Sequence, residues 1–241
     1  MNFQFTKKKS KISIILPTYN ERGNIIDLIY SILNYCKNIA ALEIIVVDDN
    51  SPDGTADFVR QRFKKRINVK LVVRTENRGL ASAIKAGIKK ATGNYIVVMD
   101  TDFNHDPKEL LNMFTKIGAY QLVIGSRYVG GGGMENKLRQ WLSYLFNIYL
   151  RIILGHGVHD NLSGYFMISR KDLFRLNVDK IFYGFGDYFM RLIFQAHQMN
   201  FTICEVPIYY KNRTYGYSKS HFLQMFISYT LSAVYLRLGF V

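Results

Sequence analysis

Residues 95–107 read YIVVMDTDFNHDP, an apolar run that passes directly into three acidic residues. The run is short and rich in β-branched side chains, which is typical of a strand buried on both faces of a sheet. Asp100 and Asp102 follow it two positions apart, so both carboxylates can point to one side. Two anions held close together raise each other's pKa unless a cation lies between them. We therefore predict a divalent metal site, for which carboxylate oxygens favour Mg²⁺ or Mn²⁺.

The end of this stretch has a structural interpretation. Pro suits the first position of a helix and Asp is a good N-cap, so we predict a helix that starts at Pro107 with Asp106 as its cap. His105 is predicted to support the site and not to bind the metal.

Four further apolar runs of the same kind lie along the chain. They are residues 12–16, 43–47, 69–73 and 121–125. The helical segments that we predict between the first four strands are residues 22–36, 54–65 and 79–91. This alternation predicts a doubly wound α/β sheet with mostly parallel strands. Ligands of such sheets bind beyond the carboxyl ends of the strands, so the strand exits are where functional residues are expected.

Every strand exit is polar. Asp48 and Asp49 stand at the tip of the second strand, where a carboxylate can accept hydrogen bonds from a ribose hydroxyl or a base N–H. The alternative is that this pair caps the helix at 54–65 and shapes the turn before it, and Glu21 has the same two possibilities. Basic residues at exits or in loops are candidates for contact with phosphate. They are Arg78, Arg127, Arg139, Arg213 and Lys219.

Several familiar sites are excluded or disfavoured. The run Gly130–Gly133 lacks the ending of a phosphate-binding P-loop, no GxGxxG follows the first strand, and neither GxSxG nor HExxH is present. The group His156, His159 and Asp160 is more typical of a structural loop than of a metal site. Cys36 and Cys204 match no metal spacing and suggest two free thiols.

The formal net charge of +14 indicates an anionic partner, which can be nucleic acid, anionic lipid or a phosphorylated substrate. Residues 137–155 and 221–241 are dense in large apolar and aromatic side chains but are too short or too charged to cross a bilayer. We predict interfacial amphipathic helices there, although ordinary core helices have the same pattern. Composition shifts near residue 128. The predicted organisation is an α/β domain over 1–220 and a membrane-associated C-terminal helix over 221–241.

The strand exits, taken in order, resemble those of glycosyltransferase family 2, and in particular its polyprenyl-phosphate (dolichyl-phosphate) mannosyltransferase group. The segments that carry the resemblance lie between residues 12 and 219. They are ILPTYNE, VVDDNSPDGT, NRGLASAIKAG, MDTDFNHDP, GSRY, DNLSGYFMISR and VPIYYKNRTYGYSK.

The resemblance implies a GT-A fold, an inverting transfer, a nucleotide-sugar donor that is usually GDP-mannose, and Mg²⁺ or Mn²⁺ held by the Asp-x-Asp. It implies a polyprenyl phosphate acceptor at the cytoplasmic face of a membrane, and it implies that the domain over 1–220 is catalytic. The residues expected around the donor nucleoside are Pro17, Tyr19, Glu21, Asp48 and Asp49. Those expected at the metal and diphosphate are Asp100, Asp102 and Asn104, with Arg78, Arg127, Arg213 and Lys219 on the donor side. Asp102 and Arg127 are the catalytic candidates, and Arg139 and Ser163 are expected at the acceptor phosphate.

The sequence departs from the family pattern at two places. Asn104 stands where many members have Gln, and Asn161–Leu162 replaces the commoner Pro-Thr or Pro-Met before Ser-Gly. The acceptor itself needs little help, because a phosphate monoester with a second pKa of about 6 is largely ionised at neutral pH. Asp160 is therefore not required as a general base.

Two other functions stay open within the family: a polyprenyl-phosphate glucosyltransferase that uses UDP-glucose, and a transferase with a non-lipid acceptor. A nucleic-acid-binding protein is disfavoured, because carboxylates clustered at the strand exits would repel a polyanion.

Overall fold

A computed structural model describes residues 10–37, 41–211 and 222–240. The strands are β1 Lys11–Thr18, β2 Ala41–Asp48, β3 Val69–Val73, β4 Tyr95–Val98, β5 Leu122–Ser126, β6 Gly133–Met134, β7 Phe166–Ser169, β8 Ile203–Pro207 and β9 Tyr209–Tyr210. The helices are α1 Ile25–Cys36, α2 Thr55–Phe63, α3 Leu80–Lys90, α4 Glu109–Lys116, α5 Lys137–Leu154, α6 Arg170–Leu173, α7 Val178–Ile181, α8 Tyr188–Gln198 and α9 Phe222–Leu238.

The main sheet confirms the predicted α/β class. Its strand order is β3-β2-β1-β4-β7-β5-β8, and β6 pairs separately with β9. The pairs β1–β2, β1–β4, β2–β3 and β5–β8 are parallel. All five predicted strands and the three predicted crossover helices are present, with ends that differ by a few residues from those expected.

The sequence pattern predicted neither β7 nor β8 of the main sheet, and of these two strands β7 is the one that bears on the site. It lies between β4 and β5 and runs antiparallel to both, with Phe166 opposite Val98 and Ile124. Its amino end therefore lies at the edge where the parallel strands have their carboxyl ends. The turn before β7, which contains Ser163, is thereby placed at the strand exits.

Alternation along each strand builds a core on both faces of the sheet. In β1, Ile14 and Leu16 pack toward α1 and α4, whereas Ile15 packs toward α3 and α8. Each such side chain contributes about 2 kcal/mol by leaving water. Helix α3 approaches so closely that a Cβ on Gly87 would lie 2.4 Å from a methyl group of Ile15. Burial on both faces explains why these strands lack a polar side.

The chain turns sharply after each parallel strand of the first half. Asn20, Asn50 and Asn77 follow β1, β2 and β3 in the left-handed conformation, which Asn tolerates better than most residues. Phe103, which follows β4, has a φ of 61°.

The predicted start of α4 is wrong by two residues. The helix begins at Glu109, and Asp106 acts one turn earlier, where its Oδ1 accepts a hydrogen bond from the Lys108 backbone N–H at 2.9 Å. The backbone carbonyl of Asp106 also accepts from the N–H of Glu109 at 3.1 Å. The Asp106 carboxylate accepts a backbone hydrogen bond as expected, but the residue that donates it lies in a turn before the helix.

Helices α5 and α9 pack against each other and against α8 through a shared apolar cluster. Its members include Phe146, Leu150, Phe194, Tyr229 and Leu236. Within the described ranges, no helix is long and apolar enough to span a bilayer. The expectation of an amphipathic character is wrong for α9, because its exposed side is also apolar. The exposed large side chains of α9 include Phe226, Ile227, Leu231 and Tyr235.

A buried carboxylate fastens the amino edge of the sheet. Glu43 of β2 accepts hydrogen bonds from Ser13 Oγ at 2.5 Å, Lys70 Nζ at 2.6 Å and the Thr92 backbone N–H at 2.8 Å. Burial by itself raises the pKa of Glu43, but the hydrogen bonds from Lys70, Ser13 and Thr92 outweigh it and hold the pKa well below the ordinary value of 4.5. A carboxylate with a lowered pKa stabilises the fold above its ordinary pKa, and that contribution is lost as the pH falls toward the folded-state value.

We expect Glu43→Gln to lower the free energy of unfolding by about 2 kcal/mol at pH 7, because it leaves buried donors without their anionic acceptor. The difference from the unaltered protein should shrink once the pH falls below 4.5. Urea denaturation between pH 7 and pH 4 measures both effects. Glu76→Gln, at an exposed glutamate, is the control, and a difference between Glu43→Gln and the unaltered protein that stays constant over this pH range would contradict the interpretation.

Candidate active site

Asp48 joins the exits of β1 and β2. It is fully buried, its Oδ1 accepts from the Ser51 backbone N–H at 2.9 Å, and its Oδ2 accepts from Ser51 Oγ at 2.6 Å and Thr18 Oγ1 at 3.1 Å. This carboxylate shapes the turn after β2, as one of the two interpretations expected. It does not cap α2, whose N-cap position is Gly54 and which has no side-chain cap. Asp53 Oδ1 accepts from the Thr55 backbone N–H at 2.9 Å and shapes the turn that leads into the helix.

Asp49 joins the exits of β2 and β3. It forms an ion pair with Arg74, whose Nε donates to Asp49 Oδ1 at 2.7 Å, and its Oδ2 accepts from the Gly79 backbone N–H at 2.7 Å. Gly79 has a φ of 138°, which favours glycine. Sequence reasoning missed Arg74 and named Arg78, which is exposed. The signal was present, since Arg74 directly follows β3.

The exit of β1 contributes residues of differing exposure. Pro17 is buried in the sheet, whereas Tyr19 is 41% exposed. Glu21 closes the turn before α1: its carbonyl accepts from the N–H groups of Asn24 and Ile25, and its Oε2 accepts from Asn24 Nδ2 at 2.9 Å. These residues lie beside the exit of β2, because the Glu21 backbone N–H donates to Thr55 Oγ1 at 3.1 Å.

The acidic loop after β4 is internally braced. Asp102 is nearly buried, and its two oxygens accept from the Asn104 backbone N–H at 3.1 Å and from Asn104 Nδ2 at 2.9 Å. The Asp100 side chain is 38% exposed. Asn104 therefore orients Asp102. Of the two polar atoms in the Asn104 side chain, only Oδ1 has the chemistry of a metal ligand.

The donor set of this loop fits Mg²⁺ or Mn²⁺. Both ions prefer oxygen ligands, and Mg²⁺ commonly takes one or two carboxylates and completes its shell with water and phosphate oxygens. Throughout the described residues there is no group of three or more His, Cys, Asp or Glu side chains that could hold a metal by themselves. A site built on Asp100 and Asp102 would thus require oxygen ligands from water or substrate.

Arg127 and Asp160 form a buried bidentate ion pair. Nε donates to Asp160 Oδ2 and Nη2 donates to Oδ1, both at 2.7 Å, and the Arg127 backbone N–H donates to Oδ2 at 3.0 Å. The guanidinium also lies over the ring of Tyr210, 4.9 Å from its centroid. Burial alone lowers the pKa of Arg127, but the adjacent Asp160 carboxylate outweighs it and raises that pKa. The pair fixes the exit of β5 to the turn before β7.

Ser163 is buried in the turn that leads to β7, and its carbonyl accepts hydrogen bonds from Tyr210 Oη and is 2.9 Å from Nε2 of His105. Arg139, by contrast, is exposed on the first turn of α5. Arg213 and Lys219 lie outside the described residues. Sequence reasoning missed Tyr210, because nothing in the local pattern shows that β9 returns to this turn.

Among the described residues, His156, His159 and Asp160 do not form a group that could hold a metal by itself. His159 Nδ1 lies 2.7 Å from Glu205 Oε2, whereas His156 is buried beside His197. Cys36 and Cys204 are free thiols, as expected, and burial raises the pKa of Cys36 to about 12.

Comparison with known proteins places this chain in a family. The model of glycosyl transferase family 2 matches residues 13–175. Polyprenol monophosphomannose synthase of Mycolicibacterium smegmatis is 35% identical over 215 residues, which cover 86% of this chain and 79% of that protein. Dolichol-phosphate mannosyltransferase of Pyrococcus furiosus is 35% identical over 214 residues, and these cover 87% of this chain but only 59% of that protein.

Solved structures confirm the fold. Glucosyl-3-phosphoglycerate synthase of Mycobacterium tuberculosis, in complex with Mn²⁺, UDP and glucosyl-3-phosphoglycerate, superimposes with a TM-score of 0.71 at 20% identity, over 95% of this chain and 80% of that one. The same enzyme with Mg²⁺ and UDP gives a TM-score of 0.71 at 19% identity, over 95% of this chain and 80% of that one. At such low identity the likeness supports the GT-A fold alone. The family match and the two relatives show that this chain belongs to glycosyltransferase family 2.

Proposed function

We propose that the protein transfers mannose, with inversion, from GDP-mannose to a polyprenyl (dolichyl) phosphate at the cytoplasmic face of a membrane. The observation that carries the proposal is the braced acidic loop at the exit of β4, in a chain 35% identical to two proteins named as lipid-phosphate mannosyltransferases. The neighbouring exits of β1 and β2 supply the side chains proposed to hold the nucleoside. These are Pro17, Tyr19, Glu21, Asp48 and Asp49.

The proposed cofactor is Mg²⁺ or Mn²⁺, held by Asp100, Asp102 and the side-chain oxygen of Asn104. Such an ion, when bound, offsets the negative charge of a nucleoside diphosphate as it departs. One fold relative, glucosyl-3-phosphoglycerate synthase, was crystallised with UDP and either Mn²⁺ or Mg²⁺. Asn104 contributes by keeping the Asp102 carboxylate in one orientation.

Basic residues are proposed to complete the charge balance around the diphosphate. Arg127 is held in place by Asp160, and Arg78 is exposed near the exit of β3. Arg213 and Lys219 are proposed for the same task on the strength of the family pattern. Charged donors fixed before the reaction stabilise developing charge without a reorganisation cost.

The proposed acceptor phosphate has to be oriented, but it does not need a residue that removes a proton from it. A phosphate monoester is largely ionised at neutral pH, so its oxygen can attack without a general base. Asp160 is engaged by three N–H groups of Arg127, which suits an anchoring role and not a basic one. Ser163 and Arg139 are proposed to face the acceptor phosphate.

The surface of α5 and α9 supports a membrane-bound acceptor. Trp141 and Ile152 of α5 are 58% and 76% exposed, and α9 also exposes large apolar side chains. Apolar side chains on interfacial helices gain free energy by entering the headgroup region, and a body with a net charge of +14 is attracted to anionic lipid. The lipid phosphate of the proposed acceptor lies at that level.

Incubation with labelled GDP-mannose, UDP-glucose or UDP-GlcNAc and a polyprenyl phosphate, followed by organic extraction, tests the proposal. We expect label from GDP-mannose to enter the organic phase. Extraction of glucose label instead would identify the glucosyltransferase alternative, and equal turnover of a soluble acceptor without lipid would contradict the proposed acceptor.

Asp102→Ala provides the matched negative variant in this assay. It should reduce transfer by about 100-fold or more, since a group that stabilises departing charge is removed. Asp57→Ala, which removes an exposed carboxylate of α2, should leave transfer unchanged. Circular dichroism checks that both variants are folded.

We expect the double substitution Trp141→Ser and Ile152→Ser to weaken binding to vesicles that contain anionic lipid by about tenfold or more, because two apolar side chains no longer leave water. Co-sedimentation with the vesicles measures the binding. Ile67→Ser removes an apolar side chain that is 96% exposed elsewhere on the surface and should have no effect. Equal binding by the unaltered protein, the double variant and Ile67→Ser would show that α5 does not contact lipid.

A further inference from the structure

His105 closes the loop that carries the acidic pair. Its ring is fully buried, and Nδ1 accepts a hydrogen bond from the backbone N–H of Asp100 at 2.7 Å. A backbone amide can only donate, so Nδ1 is the acceptor of this hydrogen bond and Nε2 is the ring nitrogen that donates. This hydrogen bond thus closes the loop of residues 100–105, and Asp100 and Asp102 lie within the closed loop.

The far side of the same ring reaches two other parts of the site. Nε2 lies 2.7 Å from Tyr210 Oη and 2.9 Å from the Ser163 carbonyl oxygen, and Tyr210 Oη donates to that carbonyl at 2.9 Å. The donors follow one direction, from the Asp100 amide through His105 and Tyr210 to the Ser163 carbonyl. Each proton in this series has an acceptor, so the hydrogen bonds reinforce one another.

Packing fixes the plane of the imidazole. The ring of His105 stacks on Tyr165, with centroids 4.7 Å apart and an interplanar angle of 13°. Tyr210 is held in turn by the guanidinium of Arg127 over its ring. Neither ring can rotate without breaking a buried contact.

The loop has a conformation that its own sequence does not favour. Phe103, between Asp102 and Asn104, has a φ of 61°, and a bulky residue keeps a left-handed backbone only where its surroundings impose it. The hydrogen bond from Asp100 to His105 spans this residue and opposes its relaxation.

We propose that His105 and Tyr210 are positioning residues, which set the carboxylates of Asp100 and Asp102 relative to Ser163 before any ligand arrives. The inference rests on the proposed function, because it assigns a purpose to the metal-binding role of those carboxylates. Side chains that orient metal ligands without touching the metal typically change metal affinity by about 10- to 100-fold. Ordering the loop in advance removes a cost that binding would otherwise incur.

The test measures Mn²⁺ binding to the full chain in the presence of GDP, with free Mn²⁺ counted by electron paramagnetic resonance. His105→Gln keeps an N–H donor near the position of Nε2 but loses the acceptor for the Asp100 amide, and should bind Mn²⁺ about 10- to 100-fold more weakly. Tyr210→Phe keeps the ring under Arg127 and loses only the hydroxyl, and should weaken binding by about tenfold.

Tyr188→Phe is the matched control. Its hydroxyl is also buried and donates to a carbonyl of the same turn, that of Gly164 at 3.4 Å, so its loss should leave Mn²⁺ affinity within about twofold of the unaltered protein. Thermal unfolding establishes that each variant is folded. If His105→Gln does not fold, the Mn²⁺ affinity of Tyr210→Phe tests the inference.

The outcomes separate the inference from the function on which it rests. Equal Mn²⁺ affinity in the unaltered protein, Tyr210→Phe and any folded His105→Gln overturns the inference and leaves the proposed function intact. Equal loss in Tyr188→Phe and Tyr210→Phe overturns it as well, because any buried hydroxyl would then have the same effect. An unaltered protein that binds no Mn²⁺ overturns both.

Discussion

The antiparallel strand β7 is the constraint that assembles this site. A sheet made of parallel strands alone brings only carboxyl ends to one edge, but β7, paired to both β4 and β5, brings the turn that precedes it to that edge as well. Two contacts then become possible across long stretches of sequence: the ion pair of Arg127 with Asp160, and the approach of His105 to the Ser163 carbonyl. A buried ion pair of this kind stabilises only while both partners are present, since either charge alone would be left uncompensated.

Several carboxylates lie at the strand exits of a protein whose net charge is positive, and protein groups compensate most of them. The net charge of +14 lies mainly on the surface, where it favours anionic partners at long range. At the exits, Asp49 is neutralised by Arg74 and Asp160 by Arg127, while Asp48 is held by hydroxyl and amide donors. Asn104 orients Asp102 through two hydrogen bonds. The loop at 100–104 therefore presents an Asp102 carboxylate of fixed orientation at the exit of β4.

Local patterns predicted the parts of the fold that depend on local chemistry. The five apolar runs became strands because burial on both faces demands continuous apolar sequence, and the strand exits held the polar residues that a parallel sheet gathers at one edge. The inserted strand β7 was not predicted, because its direction is decided by pairing with β4 and β5 and not by its own four residues. The same holds for Tyr210, whose partners His105 and Ser163 are distant in sequence, whereas Arg74 directly follows β3 and could have been identified. The start of α4 was misplaced because Asp106 caps a turn, a local choice that composition alone does not resolve.

The central claim is that the Asp100–Asp102 carboxylates and a nucleoside diphosphate share one divalent ion. A crystal structure with GDP and Mn²⁺, with anomalous scattering measured at the manganese edge, tests it most directly. The account predicts an anomalous peak bonded to Asp102 and to a diphosphate oxygen, with Asp100 beside it. Bound GDP with no peak at these carboxylates, or a peak bound elsewhere in the chain, would contradict the account.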